Sequence, residues 1–143
     1  MTDSAPLLGK DVFFTRQTAN AGIVVDLYTP AGQKTAHWIR IRGVDSDAFR
    51  EADAESNRRI IDIAQIKEEP KRREALKALQ LEIIASLVVA WSFSESFTIK
   101  EVVDFLREAP QIADKIDAVA RKRSLFFRTE SQASAPGPDD NSD

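Results

Sequence analysis

Hydrophobic positions along the chain change period near residue 43. Before it, Ile23, Val25 and Leu27 alternate with Val24, Asp26 and Tyr28. Pro30-Ala31-Gly32-Gln33 then carries the Pro-x-Gly spacing of a turn. Alternation resumes over 34–42, with His37, Ile39 and Ile41 on one face and Trp38, Arg40 and Arg42 on the other. The pattern predicts a β-hairpin. Two strands alone are marginal, so the Ile/Val/Leu face needs an apolar cover.

After Gly43 the apolar spacing becomes three or four, which is helical. Asp45 or Ser46 is placed to cap a first helix running to about Glu68. Its stripe is Phe49, Ala52, Ile60, Ile63 and Ala64, and its polar middle, 51–59, is expected to be exposed. Pro70 suits the first turn of a second helix, predicted to reach about Trp91 through Leu76, Leu79, Ile83, Ile84, Leu87 and Val88. The second half of that helix is apolar nearly all round. It is therefore either central or in contact with another chain, which leaves a homo-oligomer open. Residues 92–97 break the pattern. Thr98 and Glu101 form a capping box for a third helix to about Glu108, and Pro110 opens a fourth that ends at Arg121-Lys122-Arg123. The predicted fold class is α+β, an N-terminal β-hairpin packed on a bundle of about four α-helices. Residues 1–20 are expected to form a flexible arm whose apolar pairs either dock or stay loose. Residues 21–128 form the domain, and 129–143, rich in Ser, Pro, Gly and Asp, a disordered acidic tail.

Composition narrows the chemistry. A chain of 143 residues that is 43% hydrophobic and 30% charged suits one soluble domain. The absence of cysteine excludes disulfides, thiolate metal sites and a cysteine nucleophile. His37 is the only histidine, so a multi-histidine metal site is excluded and any Ser–His–Asp device must use it. The five glycines are isolated and form no phosphate loop. These features predict a non-enzyme without cofactor or metal. Four acidic residues and no Lys or Arg lie in 129–143, so removing that −4 from the net −3 leaves 1–128 at +1. Near-neutrality argues against nucleic acid as a partner. The most apolar run, 83–91, is far shorter than the roughly 20 residues of a membrane span. The N-terminus has no basic start followed by an apolar run, so a cytoplasmic protein is expected.

The candidate contact residues are aromatic and basic. Trp91, Phe93 and Phe97 surround the break after the second helix. They are either hinge residues plugged into the core or contacts for a partner. Arg121, Lys122 and Arg123 stand beside Phe126 and Phe127. That group is either a binding patch or a helix end whose phenylalanines fold back. Taken as a patch, the two groups make one apolar surface with basic flanks. Lys71-Arg72-Arg73, with acidic neighbours, reads as a solvated face.

The order of these pieces carries a resemblance. A Pro-x-Gly hairpin leads into Arg40-Ile41-Arg42-Gly43-Val44-Asp45-Ser46, and a helical pair ends in Ala90-Trp91-Ser92-Phe93. Then come Phe97-Thr98-Ile99-Lys100-Glu101, a Leu106-x-x-x-Pro110-x-Ile112 step, and Arg123-Ser124-Leu125-Phe126-Phe127. Over roughly residues 20–128 this resembles the tail assembly chaperones of long-tailed bacteriophages and prophages. The resemblance implies a non-enzymatic protein of the host cytoplasm, absent from the mature virion. It would bind the tape measure protein and keep it soluble while tail tube subunits polymerise around it. It also implies that a longer, frameshifted product recruits tail tube protein. No single binding residue carries over with the resemblance. The alternatives are a structural minor tail or head–tail joining protein, and a small DNA-binding regulator using the 99–128 helices.

Overall fold

The computed structural model describes residues 7–127. The predicted hairpin is formed by β1 (Ile23–Tyr28) and β2 (Lys34–Ile41), antiparallel, with Ile23 opposite Ile41 and Val25 opposite Ile39. That register puts the alternating apolar residues of both strands on one face. The turn between them closes with the Gly32 amide on the Thr29 carbonyl at 2.8 Å. A third strand, β3 (Val88–Trp91), pairs antiparallel with β2 and makes the sheet order β1-β2-β3.

Five α-helices and two short 3-10 helices, Lys10–Phe13 and Arg123–Phe127, complete the described chain. The short α1 (Arg16–Ala21) precedes β1. Helices α2 (Asp47–Ala64) and α3 (Glu69–Ala85) lie between β2 and β3 in the chain and pack against each other. Helices α4 (Ile99–Glu108) and α5 (Pro110–Arg121) follow β3. The core lies between the sheet's apolar face and the last two helices. Ile39 and Ile41 from β2 join Leu87, Val102, Leu106 and Ile116 as its most deeply buried large side chains. The predicted α+β class holds, with three strands and five α-helices among the described residues.

The helix starts follow the cap chemistry. Ser46, not Asp45, caps α2, its Oγ accepting the Phe49 amide at 3.2 Å. Thr98 caps α4 by accepting the Glu101 amide at 3.1 Å. Pro70 occupies the first turn of α3 and Pro110 that of α5, where no amide is needed.

Four expectations need correction. The second predicted helix does not reach Trp91. It stops at Ala85, and Val88–Trp91 is a strand because the central strand β2 offers it a second edge of backbone hydrogen bonds. The first predicted helix ends at Ala64, not Glu68. Its polar middle is not all exposed: Ser56 is buried, seven residues from Phe49 and seven from Ile63, on the same stripe of the helix. Arg59 also reaches across to Glu82 of α3 at 2.5 Å.

The arm expected over 1–20 divides. Leu7, Leu8, Val12, Phe13 and Phe14 are exposed, so their apolar pairs do not dock. Residues 16–21 are instead the helix α1, tied to the start of α2. Asp47 accepts from Arg16 at 2.8 Å and from Asn20 at 3.1 Å, and its amide donates back to the Asn20 side chain at 2.8 Å. The acidic tail and residues 1–6 lie outside the described residues.

Candidate functional site

The pairing of β3 with β2 positions the first group of candidate residues. Trp91 sits opposite Ile39, so its ring shares the side of the sheet that faces the helices. Ser92 extends the ladder, donating its amide to the Trp38 carbonyl at 3.1 Å and accepting the Trp38 amide on Oγ at 2.8 Å. The chain then leaves the sheet, and the Trp91 indole N–H donates to the Glu95 carbonyl at 3.1 Å. Thr98 restarts the helix, and α4 brings Phe105 back towards the strand.

The result is one cluster of rings. Trp91 meets Phe93, Phe97 and Phe105 edge-to-face at centroid distances of 5.3, 5.6 and 6.0 Å. Phe93 and Phe105 lie 5.1 Å apart. His37 lies against Phe93 at 4.4 Å, and its Nδ1 is 3.0 Å from Ser92 Oγ. The edge-to-face contacts suit the ring quadrupoles and hold the side chains in one arrangement. Trp91, Phe93 and Phe105 are half-buried, whereas Phe97 is 41% exposed.

Three of the residues singled out in the sequence, Trp91, Phe93 and Phe97, are therefore brought together. Two members, Phe105 and His37, were missed. Phe105 reads from sequence as ordinary helix stripe, and His37 joins only through a strand pairing that the sequence pattern does not show. Ser92 and His37 touch, but among the described residues no carboxylate bonds the imidazole. Nor is there, among those residues, a group of three or more His, Asp or Glu placed to hold a metal. No helix among them is long and apolar enough to cross a membrane.

The second group is placed elsewhere. Gly43, at the end of β2, donates to the Ala19 carbonyl at 3.0 Å, and Val44 donates to the Ala120 carbonyl at 3.1 Å. Phe126 packs into this junction and is only 7% exposed. A side chain on Gly43 would lie 3.4 Å from its ring. Arg123 grips Asp45 with two hydrogen bonds, 2.6 and 2.9 Å, and Arg121 pairs with Asp117 at 3.0 Å. Phe127 and Lys122 remain exposed.

The single apolar surface with basic flanks is thereby corrected. Phe126 has folded back onto the core, and two of the three cations are engaged by their own domain. The two groups sit towards opposite ends of β2. His37 and Gly43 are six residues apart, about 20 Å of extended strand. Among the described residues, only the Trp91 cluster brings several rings together; Trp91, Phe93 and Phe105 also pack against the core, which leaves Phe97 as its exposed phenyl ring.

Asp45 explains why Arg123 is fixed. Its side chain is 11% exposed. The hydrogen bonds from Arg123 hold its carboxyl well below the usual carboxylate range. Burial opposes this, and Thr15 and Arg50 add to it. A folded-state value below the unfolded one means the carboxylate stabilises the fold at neutral pH, and that this contribution fades as pH falls through the acid range. Asp45→Asn should therefore lower the melting temperature at pH 6, and the gap to the native chain should begin to narrow below about pH 4, the unfolded value, and keep narrowing as pH falls towards the much lower folded one. Melting curves across that range check this. A gap that widens in acid contradicts the assignment.

No family model matches the chain, and neither a curated protein nor a solved structure is detectably similar to it.

Proposed function

We propose that this chain is a tail assembly chaperone of a long-tailed phage or prophage. In this reading it binds the tape measure protein in the host cytoplasm, keeps it soluble while tail tube subunits assemble around it, and does no catalysis. The observation that carries the reading is the ring cluster of Trp91, Phe93, Phe97 and Phe105 left open at Phe97. Aromatic anchors held rigid at a surface are the side chains that dominate binding energy in protein contacts. They lose little conformational freedom when a partner covers them. A tape measure protein is long, helical and apolar, and its exposed stripes are the kind of surface such rings cover. The order of sequence motifs described above supplies the rest of the support.

The test is co-expression with the tape measure protein of the phage or prophage that encodes this chain. The expected result is a soluble complex that co-purifies. Phe97→Ser alters an exposed ring, so the variant should fold and melt much as the native chain does. It should lose most of the recovered complex, at least about tenfold if Phe97 is a contact of hot-spot strength. Phe97→Tyr keeps the ring and should retain binding. A tape measure protein that stays insoluble beside the native chain would falsify the reading. Recovery of the chain from purified virions would point instead to a structural tail component.

A further inference from the structure

The charged residues that flank Phe105 most closely on α4 are acidic, the opposite of the sign the sequence suggests. On α4, Phe105 has Glu101 one turn before it and Glu108 three residues after it, the spacing that puts side chains on one helix flank. At about 100° per residue both carboxylates fall within about 60° of Phe105. The cations of the same helix are on the far side. Lys100 and Arg107, at least about 140° away from Phe105 on the same wheel, both pair with Asp104, at 2.7 and 3.0 Å. Glu95 is tied to the cluster through its backbone, whose carbonyl accepts the Trp91 indole N–H, and its side chain is a third carboxylate in this segment. Glu95, Glu101 and Glu108 are all exposed, and among the described residues none of the three is in an ion pair. On the sheet side, Lys34 is 3.5 Å from Asp26 and Lys115 lies over the Tyr28 ring at 5.4 Å. The cations of α4 and of this part of the sheet thus have partners; Lys100 also feels the charge of Glu101, but its ion pair is with Asp104.

We infer that the occupant of this surface is an amphipathic helix whose apolar stripe is flanked by Lys or Arg. Its stripe lies on Trp91, Phe97 and Phe105, and its cations meet Glu95, Glu101 and Glu108. An acidic rim rejects acidic helices with the same stripe, so charge provides selectivity where rings alone grip any apolar surface. This deepens the chaperone reading and rests on it for the location of the surface. It states which tape measure segments are held: those with basic flanks.

Two fluorescent synthetic peptides test it. They share one leucine stripe and differ only in flanks, lysine in one and glutamate in the other. Anisotropy titration of the full chain at low salt should show the lysine peptide binding at least about tenfold tighter. The preference should shrink as NaCl rises and the Debye length falls from about 30 to 3 Å. The triple variant Glu95→Gln, Glu101→Gln, Glu108→Gln should lose the preference while keeping a native melting curve. Equal binding of the two peptides, binding of neither, or a preference that survives 1 M NaCl or the glutamine variant overturns the inference. The salt series needs no variant, so it stands even if the triple change unfolds the chain. The two readings fail separately. A chain that co-purifies with its tape measure protein through Phe97 but ignores peptide charge loses only the acidic-rim inference. A chain that prefers the lysine peptide but never solubilises the tape measure protein loses only the chaperone reading.

Discussion

Leu87→Ala is expected to cost about 2–5 kcal/mol, the range for a leucine truncated inside a packed core. Leu87 is 0% exposed although it lies in a connection, not in a regular element. Its amide closes the end of α3 on the Ile84 carbonyl at 3.0 Å, and its carbonyl accepts the Arg42 amide at 2.7 Å. The backbone around it is thus bonded to two elements at once and is poorly able to collapse into the space a lost isobutyl group leaves. For a domain of this size the loss corresponds to a melting temperature lower by roughly 8–20 °C. Thermal unfolding followed by circular dichroism reads this directly. Ile61→Ala is the control, because Ile61 is exposed on α2 and its truncation should stay within about 0.5 kcal/mol. Similar losses in the two variants would show that Leu87 is not in the core.

The second large effect is expected at Gly22, which joins α1 to β1. Its φ of 76° and ψ of 174° lie in a region essentially restricted to glycine. A Cβ there would also stand 2.7 Å from the Ile41 carbonyl oxygen, a backbone atom in the paired strand. Gly22→Ala therefore meets two separate penalties. The backbone conformation alone costs about 1–3 kcal/mol. The second penalty requires β1 and β2 to move apart where Ile23 faces Ile41. Gly32 separates the two. It has a φ of 94°, but nothing lies within 4 Å of its would-be Cβ. Gly32→Ala should thus lose only the conformational part. Urea unfolding should place Gly22→Ala clearly below Gly32→Ala. Equal losses would remove the close approach of the strands from the account.

The parts of this fold that are legible in the sequence are those whose signal is local. The hairpin shows because Ile23, Val25 and Leu27 alternate before a Pro-x-Gly turn and Ile39 and Ile41 alternate after it. The starts of α2 and α4 show because a Ser or Thr side chain must accept a free amide, and Ser46 and Thr98 do so. β3 is illegible for a physical reason. Val88, Val89, Ala90 and Trp91 are an unbroken apolar run directly after a helix, and such a run carries no period that separates strand from buried helix. Its conformation is decided by β2, far away in the chain.

The same gap explains the candidate site. The aromatic character of Trp91, Phe93 and Phe97 is visible, but their assembly with Phe105 and His37 depends on β3 being a strand. Phe126 shows the opposite failure. It follows the exposed basic run Arg121-Lys122-Arg123, and nothing local reveals that α1, six polar and small residues without an apolar stripe, leaves room for its ring beside Gly43.

The bond from the Trp38 amide to Ser92 spans 54 residues, whereas the ion pair joining α2 to α3 spans 23. Closing the longer loop costs more chain entropy and is rewarded only when the strands have met. The helical hairpin can therefore form early, and the third strand joins late. The ring cluster has no local precursor, because it needs β2, β3 and α4 in place together. A chain emerging from the ribosome accordingly has no ring cluster until α4 has been made. Before that moment, Val88–Trp91 is an uncovered apolar strand beside an open sheet edge, which is a hazard for self-association. Interrupted synthesis would then yield an aggregating fragment in place of a destabilised domain.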